Sequence, residues 1–185
     1  LTFGQKAKSG NTSMNIGGVV GLCWAEKVDQ CGNKKSGEII VRGKVSSNEP
    51  KNDEVAPDQN TGIGGVIGSR VGTQTVLGTA EKVSTSNCTN EGNVTMIYDY
   101  LGGGNVCASA CIGFFDSDVA DRCVNSGSIF TEVSVARASG SPLPNTGQVS
   151  AYTSAVFGYI GSGEESQCTL TNCENSGTVN FNSGS

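Results

Sequence analysis

The sequence predicts an all-β chain folded as a parallel β-solenoid, or β-helix, of four repeats with variable external loops. Three observations carry this. A short glycine-bounded apolar run recurs at residues 17, 64, 109 and 154, in steps of 47, 45 and 45, so one repeat is about 46 residues. Each run is followed by a cysteine, an asparagine and a glycine in fixed order. The chain also offers no convincing amphipathic helix; at most Ala25–Val28 would form one turn. The copies run roughly over 4–45, 46–98, 99–138 and 139–181, within one repeat domain spanning 1–185.

The first element of each copy is the run: Gly17–Gly21, Gly64–Gly68, Ser109–Gly113 and Ser154–Gly158. Strings such as Gly-Gly-Val-Val-Gly are too short and too glycine-rich for helix and read as strand. Cys111 stands where the other copies have Val19, Val66 and Val156. Exchange of cysteine with valine marks a small buried apolar position. The second element leads to the motif cysteines Cys31, Cys88, Cys123 and Cys173. Counting back from these aligns Val28, Val83, Val119 and Cys168 as a second valine-like column. The third element follows the Asn-x-Gly turn, as in Glu38–Arg42, Val94–Tyr98 and Ile129–Val135, which are rich in β-branched residues. Each copy is thus expected to supply about three short strands, stacked on the next copy at a spacing of ~4.8 Å.

Asn33, Asn90, Asn125 and Asn175 are expected to stack as a corner ladder, each amide bonding its neighbours above and below. The motif cysteines form a parallel structural column. The motif glycines permit either positive φ or close packing at the bend. The cysteine follows the run's last glycine by 10, 20, 10 and 15 positions, so the insertions read as outside loops. Four copies of this length would also suit a small four-bladed β-propeller. The solenoid is preferred because the motif cysteines and asparagines recur once per copy at inward and corner-like places.

The runs Ile16–Gly21 and Thr61–Gly68, followed by an x-Cys-x-Asn-x-Gly-x-Val segment in copy two and by Cys31, Asn33, Gly37 and Ile39 with two residues inserted before the glycine in copy one, resemble the GLUG repeat of secreted and cell-surface proteins. That repeat occurs in tandem in large bacterial surface proteins, including non-catalytic regions of some immunoglobulin-A peptidases. Here the third apolar residue of the run, often leucine in the family, is valine or cysteine, and copies three and four open with Ser-Ala. The resemblance implies a surface-exposed β-helical stalk or adhesive module, and it brings no catalytic residues.

Composition points the same way. Charged residues make up only 16% of the chain and there are 27 glycines, which suits a secreted β protein and an extracellular or cell-surface location. The net charge is −5 and there is no histidine or basic stripe, so no nucleic-acid partner is expected. No apolar run approaches the ~20 residues of a membrane-spanning helix, so no membrane insertion is expected. The chain opens at Leu1 and not at Met, which reads as a mature product or fragment. Leu1-Thr2-Phe3 and Thr178–Phe181 share one phase of the repeat, so either further copies flank it or its ends meet another chain.

The eight cysteines leave two readings open. They could pair in close couples (Cys23–Cys31, Cys107–Cys111, Cys168–Cys173) or between coils (Cys88–Cys123). They could equally be a ladder of buried thiols. No Cys-x-x-Cys pair or histidine suggests zinc, and no metal or cofactor is expected. Sequons at Asn11, Asn87 and Asn93 could carry glycans in a eukaryotic secretory pathway, although chance sequons are expected in a chain this rich in Asn and Thr.

Without histidine the usual catalytic triads are excluded. Asp116, Asp118 and Asp121 are the best cluster for calcium or for a glycan-cleaving acid/base pair, and more simply read as a solvated loop. Trp24 and Phe114-Phe115 could stack on sugars, although packing between coils is the preferred use. The expected function is therefore non-enzymatic: a structural segment of a surface filament, stalk or layer that associates end to end. A surface adhesin binding a glycan or host protein through the spacers at 46–61 and 138–150 is the alternative. A polysaccharide-cleaving solenoid ranks last.

Overall fold

The computed structural model describes residues 15–44, 61–71, 83–100, 104–116, 119–135, 149–160 and 168–184. Among these all regular structure is strand, twenty strands in four coils. The first coil holds β1 (Asn15–Gly17), β2 (Val20–Cys23), β3 (Lys27–Asp29), β4 (Gly32–Asn33) and β5 (Glu38–Lys44). The second holds β6 (Thr61–Gly64), β7 (Ile67–Val71), β8 (Ser84–Ser86), β9 (Thr89–Asn90) and β10 (Asn93–Tyr100). The third holds β11 (Gly104–Ser109), β12 (Ile112–Asp116), β13 (Val119–Asp121), β14 (Val124–Asn125) and β15 (Ile129–Val135). The fourth holds β16 (Val149–Ser154), β17 (Phe157–Ile160), β18 (Thr169–Thr171), β19 (Glu174–Asn175) and β20 (Val179–Gly184).

Every strand pairs in parallel with its equivalent in the neighbouring coil, giving five four-stranded sheets such as β1-β6-β11-β16. This is a parallel β-solenoid with one repeat per coil. A propeller would pair strands within a copy, and that arrangement is not adopted.

Each copy yields five strands where three were expected. The run bends at Gly18-Val19, so β1 ends at Gly17 and β2 begins at Val20. The segment around the motif cysteine is split by a residue with positive φ immediately before it. These residues are Gln30, Asn87, Arg122 and Asn172, with φ of 56°, 52°, 51° and 52°. The left-handed conformation turns the chain through a corner; asparagine tolerates it, but glutamine and arginine gave no hint of it in the sequence.

The register corrects one alignment. Val28 pairs with Thr85, which pairs with Ala120, which pairs with Leu170. Val83 lies two residues and Val119 one residue before this column, and Cys168 precedes Leu170 by two. The constant spacing is three residues before the motif cysteine, and the valines aligned by type alone had slipped. Ala25 and Glu26 form no helical turn, and Lys27 already belongs to β3.

The run alignment holds: the Val19 amide donates to the Val66 carbonyl (3.0 Å) and the Val66 amide to that of Cys111 (2.9 Å). Val66 and Cys111 are fully buried, and they pack with Ile67, Ile112, Phe115 and Cys123 in one apolar cluster. A second cluster lies beneath the longest sheet and includes Ile63, Val94, Met96 and Ile129.

Candidate functional site: corner ladders and an uncovered end

The most ordered polar array is the asparagine ladder at the last residues of β4, β9, β14 and β19. Asn33 Nδ2 donates to Asn90 Oδ1 (2.9 Å), Asn90 Nδ2 to Asn125 Oδ1 (2.9 Å), and Asn125 Nδ2 to Asn175 Oδ1 (2.8 Å). The second hydrogen of each amide goes to the glycine carbonyl of its own corner, at 2.7 Å for Gly92, 2.9 Å for Gly127 and 3.0 Å for Gly177. Those carbonyls fix which edge of each amide is nitrogen, so the ladder has a direction. It donates from the first coil towards the fourth. A Cβ on Gly127 would collide with the Gly92 carbonyl and press on Asn90 Nδ2. Glycine is needed there for close approach of coil to coil.

A second array lines the preceding corner and alternates from coil to coil. Asp29 Oδ1 accepts from Ser86 Oγ and Asn87 Nδ2, both at 2.8 Å. Asp121 Oδ1 accepts from Thr171 Oγ1 and Asn172 Nδ2, both at 2.9 Å. Between the two sets, Arg122 Nε donates to Asn87 Oδ1 (2.7 Å). Coils one and three thus present a carboxylate, and coils two and four present a hydroxyl and an amide. The amide and hydroxyl donors hold both carboxyls below their ordinary range: Asn87 and Ser86 for Asp29, Asn172 and Thr171 for Asp121. Asp121 also pairs with Arg122 Nη1 at 2.8 Å.

Asp121 belongs to this corner, Asp116 closes β12, and Asp118 lies outside the described residues. Among the described residues no group of three or more potential metal ligands comes together. The sequons divide similarly. Asn11 is outside the described residues, Asn87 has both its amide nitrogen and oxygen engaged, and Asn93 is exposed with its oxygen accepting from the Ser128 amide (3.2 Å).

The cysteines carry thiols: Cys23, Cys31, Cys88, Cys107, Cys111, Cys123 and Cys173 are all unbridged. None of the three close couples nor the Cys88–Cys123 bridge is formed. Cys88 and Cys123 lie side by side inside the solenoid. The neighbouring Cys123 thiol and burial push the Cys88 thiol up; the neighbouring Cys111 thiol and burial push Cys123 up. Burial alone takes Cys107 to about 12. Such thiols are poor nucleophiles. Cys31 and Cys173, at the two ends of the column, are only partly buried.

Arg70 is the functional-looking residue that residue type did not reveal. It sits in the inward column with Cys23 and Phe115 and is fully buried. Its Nε donates to Thr85 Oγ1 (3.0 Å) and Nη1 to the Cys23 carbonyl (3.3 Å). Nη2 reaches the carbonyls of Ala25, Glu26 and Ser84. It gathers the carbonyls of the β2–β3 connection, a structural task; its pKa is lowered by burial. Its only sequence signal was sharing a phase with Cys23 and Phe115.

The aromatic residues part company. Phe115 is buried and packs on Phe157 with ring centroids 5.1 Å apart. Phe114 stacks on Tyr159 at 5.2 Å, and Tyr152 meets Tyr159 edge-on at 5.3 Å. Trp24 is 65% exposed and does not pack between coils as expected.

The remaining feature is the end of the stack at the fourth coil. Ile129 and Thr131 are buried in coil three, but their partners in β20, Val179 and Phe181, are 42% and 52% exposed. Ile160 and Leu170 are likewise exposed beside Phe115 and Ala120, which are not. Apolar side chains and the free edges of five strands are presented together. No protein-family model, curated protein or solved structure matches the chain.

Proposed function

We propose that the chain is a non-enzymatic structural β-solenoid, a subunit or segment of an extracellular filament, stalk or surface layer that associates through its ends. The uncovered apolar face of the fourth coil carries this reading. Val179, Phe181, Leu170 and Ile160 occupy columns that are core in the preceding coils, and they lie against open strand edges. Such an edge templates addition of further strands. The polar side chains at the corners are engaged with one another, which supports a scaffold over a catalytic role. The resemblance to the GLUG repeat, carried by the repeat residues themselves, supports the surface location. Sedimentation velocity across a concentration series, with electron micrographs of the same samples, tests the proposal. Species that lengthen as concentration rises are expected; monomer at every concentration would refute it.

A second reading, a glycan-binding adhesin, has one observation behind it. Phe114, Tyr159 and Tyr152 form a contiguous aromatic group at β12, β16 and β17, with Tyr152 exposed. A glycan array that scores positive and loses its signal in Tyr152→Ala would favour this reading.

A further inference from the structure

We propose that the outer face of the longest sheet, over β5, β10 and β15, is a lateral interface. There two copies of this chain pack side by side, with their stacks running in opposite directions about a two-fold axis through β10. The contact lies on the flank of the solenoid and is independent of association through the ends.

The strand period sends alternate residues of this sheet outward. Two outward columns run along the stack. One holds Ile40, Thr95, Phe130 and Asn180; beside it lies Arg42, Ile97, Glu132 and Asn182. The residues between them in sequence, such as Met96 and Thr131, are buried core. Ile40 is 49% exposed, and Thr95, Ile97 and Phe130 are partly exposed. The outward column through Asp29, Ser86, Asp121 and Thr171 on a neighbouring sheet is, by contrast, polar throughout. Apolar exposure alone names no occupant; the charges do.

Arg42 and Glu132 belong to one column and lie on either side of Ile97. At ~4.8 Å per coil they are about 10 Å apart, too far to pair with each other. Among the described residues neither makes an ion pair, and Glu132 accepts a long bond of 3.4 Å from Asn182 Nδ2. A two-fold axis in the plane of contact, along the strand direction at β10, exchanges the first coil with the third. It sets Arg42 against Glu132 of the second copy, and Glu132 against the Arg42 of that copy. Ile40 and Phe130 oppose each other both ways, and Ile97 and Thr95 each meet their own equivalent. Every apolar side chain then meets an apolar one, and each charge meets its opposite. Facing sheets pack ~10 Å apart, a gap that an arginine and a glutamate span together. Stacks running in the same direction would instead bring coil one to coil one and like charge towards like. Coil four, with Asn180 and Asn182 polar and exposed, lies beyond the paired area. Such a contact is isologous and closes at a dimer. It is made by side chains, and the ladder hydrogen bonds of β10 and β15 are the same with it or without it.

Charge exchange tests this geometry. Sedimentation velocity is run up to the solubility limit on wild type, on Arg42→Glu, on Glu132→Arg and on an equimolar mixture of the two variants. Wild type is expected to form a dimer. Each variant alone sets like charge against like at both pairs, so its dimer affinity is expected to fall at least about tenfold. In the mixed dimer both pairs are again of opposite charge. Affinity is expected to return to within about threefold of wild type, which also shows that both variants are folded. A wild type that never dimerises, or single variants that dimerise as well as wild type, overturns the proposal. Loss in both variants without recovery on mixing overturns the antiparallel arrangement. Species that lengthen with concentration and respond to neither substitution belong to end association; they overturn the lateral contact and leave that reading standing.

Discussion

The two ends of the stack carry the same columns and treat them differently. In the column through Val28, Thr85, Ala120 and Leu170, the first-coil residue is 7% exposed and the fourth-coil residue 39%. In the column through Val41, Met96, Thr131 and Phe181, the corresponding values are 6% and 52%. Asn33 is buried and Asn175 is exposed, although both belong to one ladder. A repeat therefore does not give each copy the same energetic role. A residue contributes to the fold according to what covers it, and the same columns are covered at coil one and open at coil four.

The sharpest way to break this comparison is a charge placed in one column at both ends. Val28→Asp should destabilise the chain by at least about 3 kcal/mol, because the carboxylate loses water without gaining a partner. Leu170→Asp should cost less than about 1 kcal/mol in the monomer, because its site is already wet. Urea unfolding under monomeric conditions measures both, and equal losses would show that the two ends are equivalent.

The asparagine ladder sharpens the comparison at a smaller scale. Asn125→Ala orphans the Asn90 donor and the Asn175 acceptor, and should cost about 2–3 kcal/mol. Asn175→Ala should cost under about 1 kcal/mol, because water replaces what is lost. If the two variants melt together, the ladder is not contributing as a buried network.

The Val41 column offers a gain. Thr131 is buried with its hydroxyl oxygen unpartnered, between Met96 and Phe181 in register. Thr131→Val should raise stability by about 1 kcal/mol, read as a higher urea midpoint at unchanged slope.

Much of the coil was legible in the sequence. The solenoid and the run alignment followed from period and residue type, because glycine, asparagine and a small apolar residue have few alternatives at those places. The alignment before the motif cysteine slipped, because it matched valines by type while the register is set by the left-handed corner at Gln30, Asn87, Arg122 and Asn172. The number of strands was underestimated for the same reason, since backbone corners leave little compositional trace when arginine or glutamine occupies them. Arg70 was hidden because a buried guanidinium satisfied by carbonyls depends on how the β2–β3 connection folds, and spacing does not encode that. The alternation of Asp29 and Asp121 with Ser86 and Thr171 was present in the sequence, but it becomes visible only once the register is known.

The smallest expected effect concerns pH. Asp29 and Asp121 have folded pKa values below the unfolded carboxylate value, which is about 3.9. Their contribution is therefore present above that value and is lost as pH falls through the depressed folded pKa. Acid titration should show a loss of stability below about pH 4 that is weaker in Asp29→Asn with Asp121→Asn. An identical acid limb in wild type and double variant would show that the corner carboxylates are not linked to folding.

Amide hydrogen exchange as a function of protein concentration tests the central claim most directly. If the fourth-coil end receives another coil, the amides of β18, β19 and β20 gain protection as concentration rises, while those of β13, β14 and β15 in the interior stay as they were. Exchange in β18–β20 that is the same at every concentration would contradict the account, because the exposed apolar face would then be an end and not an interface.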